Sequence, residues 1–368
     1  MKSPKTSALL AALWAMAPSG VLSQCFPDSI TYSTTQSLTS HVQYTSCDHA
    51  ADGPKVWPID LVSYDWWYFD AVSEDGKEAV TIVFFASSAL GFIDTTSLED
   101  ILNVAITGTF ANGTTTGGFA LATSATVTSI GNGASGNWTG SGCSFTGTPD
   151  LSSYSIAIDS PSLGISGTVD FVSRGPGHYA CSPLVGGVDE QLVPHVGWVN
   201  ALPAAYATVD LNFGGSQMTF HGNGYHDKNW GDIPFTTAIQ SWYWGHGTLG
   251  MYELVWFDAI DATGAESVSG YLLRDGHVVA STCTTGSGGL QVRPVGTPYP
   301  PTLLAPTPTQ FTIVMTWEDG GVLNATLTPL NIQVDSGVYT RWLGEIAGTV
   351  DGVEASGSAL WEEFNFVV

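Results

Sequence analysis

Lysine and arginine are scarce. The chain carries nine of them against 33 Asp and Glu in 368 residues, for a formal net charge of −24 at pH 7. No basic cluster offsets that field, so phosphate backbones and anionic lipid are repelled, and neither nucleic acid nor a membrane surface is expected as a partner. Long apolar runs are missing too. The longest, residues 8–17, is too short to cross a bilayer. Helical periodicity is nearly absent, and residues 95–103 are the one stretch that reads as a helical turn. Familiar enzyme motifs are lacking as well: there is no G-x-S-x-G elbow, no glycine-rich nucleotide loop and no HExxH. His221, His226 and His246 have no tight ligand spacing, so neither a metal nor a cofactor is expected.

What is present points to a large β protein. Hydrophobic residues make up 43% and charged residues only 11%, which is ample for a core. The 43 glycines and 19 prolines are spread along the chain and punctuate short β-branched or aromatic segments such as 79–86, 101–110 and 206–213. That pattern predicts sandwiches or barrels. Residues 294–308, rich in proline, read as an extended connection, and a final strand is expected over 358–367. Phe69-Asp70-Ala71-Val72 with Gly76, Glu78 and Val80 is echoed by Phe257-Asp258-Ala259-Ile260 with Gly264, Glu266 and Val268. The echo predicts two related halves, divided where Gly, Pro and Cys interrupt the strands between Arg174 and Val199. The expected domains are 24–190 and 191–368.

Residues 1–23 read as a signal peptide: Lys2 and Lys5 precede the apolar run, and small residues precede Gln24. Sequons at Asn112, Asn137 and Asn324 agree with passage through the secretory pathway. The remaining cysteines, Cys25, Cys47, Cys143, Cys181 and Cys283, are odd in number and leave one thiol over. The pairs Cys25–Cys47 and Cys143–Cys181 are expected.

Three constellations could carry chemistry. Along residues 63–71, strand alternation puts Asp65, Trp67 and Phe69 on one face, and Tyr64, Trp66, Tyr68 and Asp70 on the other. Both faces bear rings, so both must be covered, and a carboxylate among rings is desolvated toward general-acid behaviour. The plainer reading of Asp65 is a hydrogen-bonded structural corner. In residues 222–232, Gly222, Gly224 and His226 share a face with little side-chain bulk. His226 suits acid/base work, whereas Asp227, Asn229 and Asp232 read as turn residues. Gln240, Trp242, Trp244 and His246 would line one face of a single strand, like the wall of a site for a ring-rich ligand or simply a core edge. Arg341 and Trp342 stand out because cations are so few. Glu253, Asp258, Glu362 and Glu363 are carboxylates of the kind a glycosidase needs, but no paired motif joins them.

The strings Ser63-Tyr64-Asp65-Trp66-Trp67-Tyr68-Phe69-Asp70-Ala71 and Gly224-Tyr225-His226-Asp227-Lys228-Asn229-Trp230-Gly231-Asp232 resemble the carotenoid 1,2-hydratase (AttH/CrtC-like) family of tandem lipocalin-like proteins. Its fungal branch includes kievitone-hydratase-like enzymes, Diels–Alderases and hetero-Diels–Alderases. The resemblance implies two all-β, lipocalin-like or β-barrel-like domains packed together, with the ligand in or between them. It also implies an acid/base role for His226, pocket positions over residues 65–68, cavity walls from Trp230 and residues 242–246, and a basic residue matched by Arg341.

The expected function is therefore a cofactor-independent pericyclase of fungal secondary metabolism acting on a hydrophobic small molecule. Dehydration of a benzylic alcohol would come first, with Asp65 or His226 protonating the hydroxyl so that it leaves as water. The resulting o-quinone methide would meet a terpene alkene between Trp67, Trp230 and Trp244, with Tyr68, His246 or Arg341 bonding its carbonyl and Gln240, Trp242 and Trp342 completing the walls. Positioning alone can supply up to about 7–11 kcal/mol for such a step. A hydratase acting on an isoprenoid or isoflavonoid double bond and a non-catalytic lipophile carrier are the alternatives.

Overall fold

The computed structural model describes residues 25–92, 100–303 and 305–367. The expected signal peptide and most of the expected helical turn at 95–103 lie outside them. Within the described residues the chain is nearly all strand, organised in two large antiparallel sheets. The first has 15 strands and curls as a half-barrel, and the second has 9 and nearly closes on itself.

Burial patterns show how the strands meet water. Ser153–Ser160 alternates between wetter and buried residues, as a strand with one wet face must. Tyr64–Ser73 and Ala79–Ser87 are instead buried at every position. Ser216–Gly231 changes character along its length, alternating early and wholly buried at its end. These doubly covered stretches are where the two sheets pack together. One apolar core, including Trp67, Phe69, Trp138 and Trp230, fills the first sheet's concave side. Another, including Trp256, Trp342 and Trp361, fills the second barrel. Between them lies a third, built by both halves from Trp66, Tyr68, Phe92, Trp242, Trp244 and Phe364.

The sheets divide between Gly231 and Ile239, not at 190/191. Val196–Phe213 and Ser216–Gly231, expected in the second half, form the centre of the first sheet, where the latter pairs with Tyr64–Ser73. The glycine- and proline-rich stretch that suggested a boundary instead holds the short strands His178–Tyr179, Ser182–Pro183 and Gln191–Val193 on the same sheet. The internal echo marks a hairpin in each sheet, Tyr64–Ser73 with Ala79–Ser87 and Tyr252–Asp261 with Glu266–Arg274. Gly76 and Gly264 take the left-handed turn position in each (φ 67° and 88°), which a side chain would strain. Residues 296–309 connect Leu290–Val295 to Gln310–Thr316, as the prolines suggested, and the last strand is Val353–Asn365.

Cys25 pairs with Cys47 as expected, but Cys181 pairs with Cys283, and Cys143 is the free, buried thiol. Cys143 lies in the first sheet's core, away from the loop that carries Cys181. The Cys181–Cys283 bond ties the two halves covalently and closes a separation of 102 residues. Ser269 Oγ donates to Ala180 O beside it at 2.6 Å. Two disulfides fit an oxidising compartment, and the sequon residues Asn112, Asn137 and Asn324 are all exposed. Among the described residues no helix is long and apolar enough to cross a membrane. Cys283→Ser should lower stability by about 2–5 kcal/mol, measured by denaturant unfolding, whereas Cys143→Ser should leave the inter-sheet link intact and cost less.

Candidate active site

A slot opens between the sheets. Cross-strand register builds its floor: Asp227 faces Tyr68, and Tyr68 faces Val83; one pair along, Asn229 faces Trp66, and Trp66 faces Phe85. The second sheet builds the opposite wall by the same rule, with Trp242 against Phe364, Trp244 against Glu362, and Arg341 and Tyr339 beyond them. Phe92 also lines the space, which comprises about 400 Å³ of atom-free volume, part of it open to solvent. Its rings touch: the Trp66 and Phe92 centroids are 4.3 Å apart, as are those of Tyr339 and Phe364.

Polar groups sit at two places on this aromatic wall. Asp227 Oδ2 accepts from Trp198 Nε1 at 2.7 Å and from the Tyr225 hydroxyl at 2.8 Å. Burial nevertheless pushes its carboxyl up to about 7, because those two donors do not replace lost water. Tyr225 is fixed from the other sheet: its oxygen accepts from Trp244 Nε1 at 3.3 Å, and its ring stacks on His246 at 4.5 Å. His246 Nε2 lies 2.9 Å from Asp70, which also accepts from the Tyr68 hydroxyl at 2.9 Å. Opposite, Glu362 accepts from Tyr339 Oη at 2.8 Å and from Arg341 Nε at 3.2 Å. The Arg341 guanidinium lies 5.3 Å from the Tyr68 ring centre. Burial, with Asp70 close by, holds the Tyr68 phenol well above its ordinary value, so it remains a donor. Trp242 Nε1 is buried without a hydrogen-bond partner, an open donor on the wall of the slot.

The sequence candidates separate by strand parity. Tyr68, Trp242, Trp244 and Arg341 line the slot, and His246 buttresses it through Tyr225. His226, Asp65, Trp67 and Trp230 were expected to share that cavity; their side chains lie instead on the other face of the same strands, inside the first sheet's own core. The His226 ring stacks on Phe69 at 3.8 Å, with Nδ1 2.8 Å from Tyr68 O and Nε2 3.1 Å from Asp52. Asp65 is ion-paired with Lys228 and accepts from Lys55 N at 2.8 Å, which is the structural corner weighed above. Burial pulls both partners toward neutrality, Asp65 upward and Lys228 down to about 8, while their mutual attraction opposes this. Lys228 also lies over Trp67 at 4.1 Å, and Trp230 Nε1 donates to Gln43 O at 2.6 Å. Trp342 belongs to the second barrel's core, since the residue after Arg341 must point the opposite way. Gln240, next to a register shift, bonds Ala262 O at the exposed end of its strand.

Asp227 and Asn229, read from sequence as turn residues, lie within Ser216–Gly231 and face the slot. Asp232 alone lies past that strand, accepting from Tyr44 Oη at 2.8 Å. Phe85, Phe92, Tyr339, Glu362 and Phe364 were missed as slot residues. The signal for Asp227 was available in principle, because it has the same parity as Tyr225 and Asn229 and the opposite parity to His226. Among the described residues no group of three or more His, Cys, Asp or Glu could hold a metal; His221 lies on the outside, 3.2 Å from Thr208 Oγ1.

Residues 23–288 match the family model described as Diels-Alderase-like. The chain belongs to the Diels-Alderase-like family. It is 36% identical to the quinolone epoxide rearrangement protein penF of Penicillium thymicola over 89% of this chain and 92% of that protein. It is 34% identical to the quinolone epoxide rearrangement protein asqO of Emericella nidulans over 89% and 90%. Its fold matches the crystal structure of CghA with Sch210972 at a TM-score of 0.74 and 19% identity, covering 92% of this chain and 99% of that one. This Diels-Alderase-like chain is accordingly an enzyme of the pericyclase and rearrangement kind.

The core charges of the family chain give a direct test. Lys228→Met should cost about 3–5 kcal/mol in urea unfolding, because it strands the Asp65 carboxylate in the core. Combining it with Asp65→Leu should restore part of that loss. His226→Ala should likewise appear first as lost stability.

Proposed function

We propose that this enzyme uses Asp227 as a general acid to break a C–O bond in one flat, oxygen-bearing aromatic metabolite, whose skeleton then rearranges inside the slot. The observation that carries this reading is a carboxyl held near neutral protonation in a wall of aromatic rings. At pH 7 about half of such groups carry a proton, the condition in which an acid is both present and willing to donate. Oδ2 is occupied by Trp198 and Tyr225, which leaves Oδ1 to carry the proton toward the substrate. Protonation of an epoxide oxygen opens the ring and leaves a cation at the better-stabilised carbon. Migration of a neighbouring group quenches it and forms a carbonyl, and the lost proton returns to Asp227, so no cofactor or redox partner is required. The faces of Trp66, Trp242 and Trp244 suit a passing cation, and the open Trp242 N–H suits a substrate carbonyl.

Opening of an epoxide is favoured over the joining of two partners because two proteins similar along nearly the whole chain are named for quinolone epoxide rearrangement. The dehydration and hetero-cycloaddition expected from sequence needs the same acid, now Asp227 rather than Asp65 or His226, but also room for an alkene partner.

The test is Asp227→Asn assayed on a quinolone epoxide. Turnover should fall by about 10²–10⁴ while the fold persists; full activity in that variant would overturn the assignment. In the wild type, activity should decline as pH rises through about 7, where Asp227 loses its proton. Stability should follow the same group. The folded carboxyl titrates above its unfolded value, so the folded state holds an extra proton in between, and stability falls as pH rises across that window. Glu363, also pushed up to about 7 by burial, contributes a similar slope, so the Asp227→Asn difference isolates the acid.

A further inference from the structure

The apolar core of the second barrel stops short of one end. Its residues Trp256, Trp342 and Trp361 are followed on the same face, two positions along each strand, by Asp258, Thr340 and Glu363. Register ties these into one ladder: Thr340 faces Glu363, Glu363 faces Tyr243, and Tyr243 faces Asp258, with Ser241 one step along opposite Asn365. Part of this polar layer is satisfied internally. Asp258 accepts from Arg293 Nη1 at 2.7 Å and from Tyr299 Oη at 3.0 Å. Glu266 accepts from Arg293 Nη2 at 2.7 Å and from the same hydroxyl at 2.6 Å. The rest is not. Glu363 is only 7% exposed, yet it has no hydrogen-bond or ion-pair partner among the described residues. The Tyr243 and Ser241 hydroxyls on the same ladder are buried and also lack partners. Glu363 and Thr340 open onto a space of about 250 Å³ of atom-free volume, part of it solvent, whose other walls include Val338, Asn365, Ala305 and Pro306.

We propose that this end of the second barrel binds a small primary alkylammonium ion, its nitrogen on Glu363 and Thr340 and its short chain against Ala305, Pro306 and Val338. A buried carboxyl without a partner is costly. An ammonium group offers three N–H donors and a positive charge, so one ligand can meet the carboxylate and a neighbouring hydroxyl oxygen together. Charge selects the sign. Arg293 is already shared between Asp258 and Glu266, so carboxylates outnumber cations around this face and an anion is repelled. A hard divalent metal fits less well, because it draws on several charged oxygens and Glu363 is the one carboxylate on the space. The slot lies on the reverse of the same strands, where Arg341 and Glu362 point. The barrel site is therefore distinct from the slot and does not depend on Asp227.

Isothermal titration calorimetry with propylammonium chloride at fixed ionic strength tests this. The wild type should bind it saturably at a single site, and should bind propan-1-ol, which has the same chain and no charge, about tenfold or more weakly. Glu363→Gln should lower propylammonium affinity by about tenfold or more. That change keeps the side chain's shape and removes an unpaired charge, so urea unfolding should show the fold retained. Thr340→Val, which alters no charge, should weaken binding by a smaller factor. Asp227→Asn should leave it unchanged. Absence of saturable binding, equal affinity for propan-1-ol, or affinity undiminished in both Glu363→Gln and Thr340→Val would overturn the site. Loss of binding in Asp227→Asn would move the ligand to the slot and overturn it equally. Calcium chloride displacing propylammonium from the wild type, but not binding Glu363→Gln, would overturn the choice of ligand.

Discussion

The central constraint is that two strands of the first sheet, Tyr64–Ser73 and the end of Ser216–Gly231, are covered on both faces. A strand buried on one side can spend its other side on water. These cannot, and the polar residues they carry must look for partners within the protein. On the inner face Lys228 pairs with Asp65, His226 Nδ1 bonds Tyr68 O with its Nε2 3.1 Å from Asp52, and Trp230 donates to Gln43 O. On the outer face stands a bonded acid, Asp227, held by Trp198 and Tyr225. The same backbone segment thus builds a fixed core on one side and a chemically poised wall on the other.

The second sheet completes the outer face. Trp244 donates to Tyr225, His246 pairs with Asp70, and Ser269 bonds Ala180 O next to the inter-sheet disulfide. The acid's surroundings therefore depend on both halves being docked. Burial that raises the Asp227 carboxyl is supplied largely by residues more than ten positions away in sequence, some of them on the other sheet.

Much of this was legible beforehand. Strand-forming composition, the echoing hairpins, the two ring-bearing faces of residues 63–71 and the shared face of Trp242, Trp244 and His246 all follow from alternation and turn residues. The sheets divide after Gly231 rather than at 190/191, because glycine and proline there punctuate short strands of one sheet. The pairing of Cys143 with Cys181 failed because nearness in sequence says little about nearness across a half-barrel. His226 was preferred over Asp227 because histidine titrates near neutrality by itself, whereas an aspartate does so only when its environment removes water.

Local sequence determined that this is a β protein with two hairpin-related halves, an acidic surface and strands whose faces are both apolar. It also determined which side chains must travel together, since neighbours two apart share a face. The tertiary structure decided which of the two faces became the slot, which carboxyl was desolvated and where Cys181 found its partner. Alternation along a strand is a property of the backbone alone, but what covers each face depends on residues brought from the other sheet.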